Sequence, residues 1–265
     1  VTVEVPVIGP LRIGEQVADA SFLSMLEHRG QAPSWSTGAV TPVHVPEATT
    51  VLALTWGRGV LMAGDRRATA GNVIAHRRIR KVYAADEYSA VAISGTAGMA
   101  VELIKLFQTE LEHYEKIEGT RLSLEGKGNY LARMVRGNLS LAFQGLVVIP
   151  LFCGYDEATH SGRLFSFDVV GGRYDELNYA TTGSGGTEAK SFLKAVWKPE
   201  LTRDEAVTIA IEALVAAAEE DAATGGPDLK RGIYPSVVSV TAQGIEEIDD
   251  QTLASIATTV IESRP

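Results

Sequence analysis

The sequence has 265 residues, 45% of them hydrophobic and 22% charged, which is enough chain to bury a full core in one large domain or two small ones. A net charge of −9 excludes a nucleic-acid surface as the main business, since phosphate binding needs clustered Lys and Arg and the one local cluster, Arg77-Arg78-Ile79-Arg80-Lys81, is short. No run approaches the ~18 apolar residues of a membrane span, Val1–Pro10 has no secretory pattern, and lone Cys153 in an apolar run excludes a disulfide framework; a cytoplasmic, reducing compartment is expected.

Residues 1–48 differ in texture from the rest. Gly9-Pro10, Gly30-Gln31-Ala32-Pro33-Ser34 and Ser36-Thr37-Gly38 interrupt any periodicity, with one brief helix expected between Ala18 and His28. The segment reads either as a flexible extension or interaction arm, or as a removable pro-segment ending at Ala48.

From Thr49 the signals become regular. Thr50–Trp56 and Val60–Gly64 are β-rich runs around Gly57-Arg58-Gly59, a hairpin signature, and Lys81–Ala84 with Ser89–Ser94 makes a second pair. Ala100, Leu103, Ile104, Phe107, Leu111 and Tyr114 then fall at helical spacing, predicting a helix over 97–117 closed by Gly119. Ser123 is placed to cap a second helix over 123–144, with Leu131, Met134, Val135 and Leu139 on its buried face. Strands are expected again at Leu146–Tyr155, Arg163–Asp168 and Tyr179–Thr182, helices over 186–197 and 203–223, a strand at Pro235–Thr241 and a last helix over 250–263. Hairpins separated by helix pairs predict an α+β protein, a four-layer α-β-β-α sandwich of two antiparallel sheets flanked by helices, and no linker divides the chain after residue 49.

Three residues at the ends of these runs carry chemistry. A threonine hydroxyl is a poor nucleophile unless a base takes its proton, and an N-terminal threonine brings its own base in the α-amine. That amine titrates near ~7.7–8.0, so it is poised to accept a proton. If Thr49 becomes a new N-terminus, Lys81 favours the alkoxide and Asp65, in Gly64-Asp65-Arg66-Arg67-Ala68-Thr69, holds the lysine charged and oriented. Backbone N–H groups of Ser94-Gly95-Thr96-Ala97, where a strand hands over to a helix, are candidates for stabilising the oxyanion.

Taken singly, each residue has an ordinary alternative. Asp65 reads as a turn aspartate, Lys81 as a solvated charge and Ser184 as part of a glycine loop. The five histidines are scattered with no H-E-x-x-H and no metal pair, and no phosphate loop or cofactor motif is complete, so neither metal nor cofactor is expected.

Thr49-Thr50, Gly64-Asp65-Arg66-Arg67-Ala68-Thr69, Arg80-Lys81-Val82-Tyr83 and Gly95-Thr96-Ala97 together resemble a proteasome β subunit. The likeness continues through Glu110–Lys116, Met134–Leu139 and Gly225-Gly226-Pro227-Asp228-Leu229, favours the actinobacterial type and covers 49–265. It implies an N-terminal-nucleophile hydrolase domain over 49–265 behind a propeptide over 1–48, cut between Ala48 and Thr49. It implies catalytic roles for Thr49, Asp65 and Lys81, with Ser184 beside the nucleophile's amine and Asp221 and Thr224 completing that network. Gly95 is implied at the oxyanion. Thr69, Gly95 and Ala97 are implied to pair with an extended substrate, and Ala68, Ile79, Tyr83, Ile93, Ala97 and Val101 to line an apolar pocket that favours cleavage after hydrophobic residues. Implied partners are other β subunits in a heptameric ring, α subunits, an ATP-driven ring unfoldase acting through the α rings, and unfolded polypeptides.

Ala48 departs from the glycine usual in the family before the threonine. Self-cleavage needs a tight turn that glycine enters more easily, so an unprocessed assembly subunit stays open beside the protease, as does an amidohydrolase of small amides on the same fold.

Overall fold

The computed structural model describes residues 49–264. The expectations for residues 1–48, including the brief helix and the Ala48 junction, lie outside the described residues. In chain order the strands are β1 (Thr50–Trp56), β2 (Gly59–Gly64), β3 (Ala68–Ala70), β4 (Val73–His76), β5 (Val82–Asp86), β6 (Ser89–Gly95), β7 (Val148–Asp156), β8 (Ser161–Phe167), β9 (Arg173–Glu176), β10 (Tyr179–Gly183), β11 (Ser236–Thr241) and β12 (Gly244–Glu247). The helices are α1 (Ala97–Glu118), α2 (Leu124–Gly137), α3 (Leu139–Ala142), α4 (Gly186–Val196), α5 (Arg203–Glu220) and α6 (Asp250–Glu262).

Two five-stranded sheets, ordered β10-β1-β2-β11-β12 and β5-β6-β7-β8-β9, form the centre, and every strand pairing in them is antiparallel. The period of two along β1 shows how the layers arise. Leu52 and Leu54 point to one face, where they pack with Leu193 of α4, Ile211 and Leu214 of α5 and Leu253 of α6. Val51 and Ala53 point to the other, where they meet Ala90 and Ala92 of β6 and Leu151 and Cys153 of β7. The outer face of the second sheet carries Val91, Phe152 and Phe165 against Leu103, Ile104 and Phe107 of α1 and Leu131 of α2. β1 is therefore buried on both faces, and the order helices, sheet, sheet, helices follows: the expected four-layer α-β-β-α sandwich. Phe107 meets Phe152 edge-on at 5.8 Å, and each such ring contributes roughly 1.5–3 kcal/mol through burial.

The differences from the sequence reading are local. The second helix stops at Gly137, where Asn138 leaves helical geometry, and the chain makes only the short turn α3 before β7. Leu139 is consequently half-buried rather than part of a core stripe. The hairpin β3–β4 and the short strands β9 and β12 had no apolar alternation to announce them; they are edge or surface pieces held by backbone pairing.

Candidate active site

Antiparallel register brings five strand ends to one edge. Thr50 opens β1 opposite Gly183, the last residue of β10, and Val51 faces Gly64, the last residue of β2. Asp65 thus emerges beside Thr50, and its N–H donates to the Thr50 carbonyl at 3.1 Å. Ser184 emerges beside Thr49 and donates its N–H to the Thr49 carbonyl at 3.0 Å. Lys81 immediately precedes β5, and Gly95 ends β6 just before α1. Gly183 has φ +102, and a Cβ there would stand 1.7 Å from the Thr49 carbonyl oxygen, so only glycine lets β10 approach the start of β1 this closely.

Asp65 is fully buried and its carboxylate is saturated. Oδ1 accepts from Lys81 Nζ at 2.5 Å and from the Thr50 N–H at 2.9 Å. Oδ2 accepts from the N–H groups of Arg67 at 2.8 Å and Gly225 at 2.9 Å. Lys81 is 5% exposed, and burial pushes its ammonium below the ordinary 10.5, opposed by the attraction of Asp65. Thr49 is equally buried.

A second carboxylate lies across the site. Asp221 caps the end of α5, and its Oδ2 accepts from Ser184 Oγ at 2.6 Å and Thr224 Oγ1 at 2.5 Å. Burial alone would raise its pKa, but these two hydroxyls, with the backbone N–H groups of Ala223 and Thr224, hold it below the ordinary 3.8.

The candidate nucleophile and the candidate substrate pocket meet. A cleft partly open to solvent has Thr49, Lys81 and Gly95 in its wall together with Ala68, Ile79, Tyr83, Ile93, Ala97 and Val101. Arg80 also borders it, but its guanidinium pairs with Glu247 at 2.8 Å and lies over the Tyr83 ring, and the Tyr83 hydroxyl donates to the Arg80 carbonyl. The remaining lining is apolar. Thr69 stands apart from the cleft, in β3 opposite Ile74, where the register with β4 shifts.

The candidate oxyanion donors narrow. The Thr96 N–H is donated to the Val147 carbonyl at 2.9 Å and is committed there, and of the remaining candidates Gly95 and Ala97 lie in the cleft wall with Thr49. Several contributors escaped sequence reasoning. Ala100 and Ile104 extend the pocket, and their helical spacing from Ala97 and Val101 was the available signal. Thr50 contributes both its N–H and its hydroxyl, but in the sequence it reads as the first residue of a strand. Among the described residues, no helix is long and apolar enough to cross a membrane.

Comparison with known proteins agrees with this architecture. The family model described as proteasome subunit matches residues 45–228. The chain is similar to "Proteasome subunit beta" of Streptomyces griseus subsp. griseus, 52% identical over 84% of this chain and 79% of that one. It is also similar to the proteins of the same name from Jonesia denitrificans, 53% identical over 83% and 72%, and Rhodococcus jostii, 50% identical over 89% and 82%. With this likeness along most of its length and the two-sheet sandwich beneath it, the chain belongs to the proteasome subunit family, as a β subunit of the actinobacterial type with threonine-type endopeptidase function.

Proposed function

We propose that Thr49 is the catalytic nucleophile, released as the N-terminal residue by cleavage after Ala48. The observation that supports this most directly is the meeting of Thr49, Lys81 and Gly95 in the wall of one apolar cleft, with Asp65 buried behind the lysine at 2.5 Å. In the reading, Thr49 Oγ1 attacks the substrate carbonyl and its proton passes to the α-amine. The Lys81 charge favours the alkoxide, the Gly95 N–H receives the developing oxyanion, and the proton goes on to the leaving amine. Water then hydrolyses the ester on Thr49 and regenerates the hydroxyl.

Ser184, Asp221 and Thr224 hold the amine's side of the site, and the carbonyl grip of Ser184 on Thr49 supports that role. The apolar lining from Ala68 to Val101 supports cleavage after hydrophobic residues, with Thr69, Gly95 and Ala97 pairing the substrate backbone as an added strand. Residues 1–48 act as the propeptide, and the partners are neighbouring β subunits in a heptameric ring, α subunits, and a ring unfoldase that delivers unfolded chains to a cytoplasmic chamber.

The test is Thr49→Ala in the full chain assembled with α subunits. Both peptidase turnover and removal of residues 1–48 are expected to vanish, with the intact mass remaining that of the uncut chain. Turnover surviving in this variant would sink the mechanism. A wild-type chain that also stays uncut would favour the assembly-subunit reading that Ala48 raises.

A further inference from the structure

We propose that Thr50 is a positioning residue for the nucleophile, its hydroxyl coupling the turn that grips Thr49 to the Asp221 network. The inference rests on the reading of Thr49 as nucleophile and deepens it.

Thr50 is wholly buried, and each of its polar groups on this side has a defined partner. Its hydroxyl accepts from the Gly185 N–H at 2.9 Å and lies 2.6 Å from the Thr224 hydroxyl. The direction of that second bond follows from proton counting. Thr224 has one hydroxyl proton and gives it to the Asp221 carboxylate at 2.5 Å, so it receives from Thr50. The bonds therefore run one way, from the Gly185 N–H through the Thr50 and Thr224 hydroxyls to Asp221. Ser184 closes the loop, donating its side chain to the same carboxylate oxygen and its N–H to the Thr49 carbonyl. Hydrogen bonds aligned in this way strengthen one another in a low-dielectric interior.

On its other side, the Thr50 N–H donates to Asp65 Oδ1, the oxygen that also holds Lys81. One residue thus joins the two carboxylate networks of the site, directly after the nucleophile in the chain. Losing the hydroxyl would leave the Gly185 N–H without its acceptor and Thr224 without its donor, loosening the turn 183–185 that holds Thr49. Small displacements of this kind are costly, because a misplacement of about 1 Å is enough to lose on the order of 10²-fold in rate.

The experiment compares Thr50→Val, which keeps the branched shape and removes the hydroxyl, with Thr50→Ser, which keeps the hydroxyl. Both are made in the full chain, assembled with α subunits and assayed on a fluorogenic peptide ending in a hydrophobic residue. Thr50→Val is expected to lower kcat by about 10-fold or more with KM within about twofold, the pattern of an interaction used in the transition state. Thr50→Ser should restore kcat to within about threefold. If Thr50→Val instead remains uncut while Thr50→Ser is processed, the hydroxyl is needed for the same attack on the 48–49 bond, which also supports the proposal. Equal impairment in both variants, or wild-type kcat in Thr50→Val, would overturn it. Thr49→Ala run in parallel separates the two levels: turnover there removes the nucleophile reading, whereas a dead Thr49→Ala beside a normal Thr50→Val removes only the role of Thr50.

Discussion

Asp65→Asn is the most demanding perturbation of the site, because it keeps the shape of the side chain while removing its charge and half of its accepting capacity. The carboxylate accepts four bonds, two on each oxygen, from Thr50, Lys81, Arg67 and Gly225. An asparagine has one acceptor oxygen and a donor NH2. Whichever way it turns, the amide hydrogens face two donors, so two bonds are lost and replaced by donor–donor contacts. Bonds to a charged acceptor are worth about 1.5–3 kcal/mol each, which sets the loss at roughly 3–6 kcal/mol. Lys81 also loses its buried counterion, which adds to the penalty rather than relieving it. At about 2–4 °C per kcal/mol for a domain of this size, the unfolding temperature should fall by on the order of 10 °C or more. The comparison is made in a Thr49→Ala background, so that both chains are uncut and processing does not confound the melt. In the otherwise wild-type chain, turnover should fall by about 10²–10⁴-fold, the usual range for loss of positioned acid–base machinery. An unfolding temperature within about 2 °C of the Thr49→Ala parent would refute the energetic argument.

Two further expectations concern pH and maturation. Burial lowers the Lys81 pKa, so its ammonium discharges below the ordinary lysine value of 10.5, and kcat should show an alkaline limb there. The folded pKa is the depressed one, so in that window the unfolded state holds more protons and this group's contribution to stability rises with pH; a parallel loss of activity and of folded protein would assign the limb to denaturation instead. Ala48→Gly should speed removal of residues 1–48, followed as intact mass against time, because glycine enters the turn before a self-cleaving threonine more easily; an unchanged rate would show that the alanine methyl is no obstacle.

The layers and the strand ends were legible because they depend on patterns that survive in one dimension. β1 and β2 are continuous apolar runs, as strands buried on both faces must be, and α1 repeats its apolar residues at helical spacing. Once hairpin pairing is granted, Asp65 must emerge next to Thr50, since both stand at the open end of β1–β2. The pieces that were not legible lack such a pattern. β3 and β4 are short and mostly exposed, so backbone pairing rather than burial defines them. The end of α2 was signalled by Gly137-Asn138, but the apolar residues beyond it suggested that the helix continued. The commitment of the Thr96 N–H to Val147 depends on how β6 meets the loop before β7, a long-range relation that no local spacing encodes.

The bonds around Thr49 also bear on the proposed cut after Ala48, because they do not depend on the 48–49 peptide. The Thr49 carbonyl is held by the Ser184 N–H, the Thr50 N–H by Asp65, and the Thr50 hydroxyl by Gly185 and Thr224. All of these atoms lie on the C-terminal side of the Thr49 Cα, so each bond survives a cut between 48 and 49. β1 continues from that point into the core, with Val51 to Leu54 fully enclosed. The described core therefore holds Thr49 firmly from its C-terminal side. In the mechanism proposed above, the 48–49 peptide is the bond to be broken and the Thr49 amine is the base that its cleavage leaves behind.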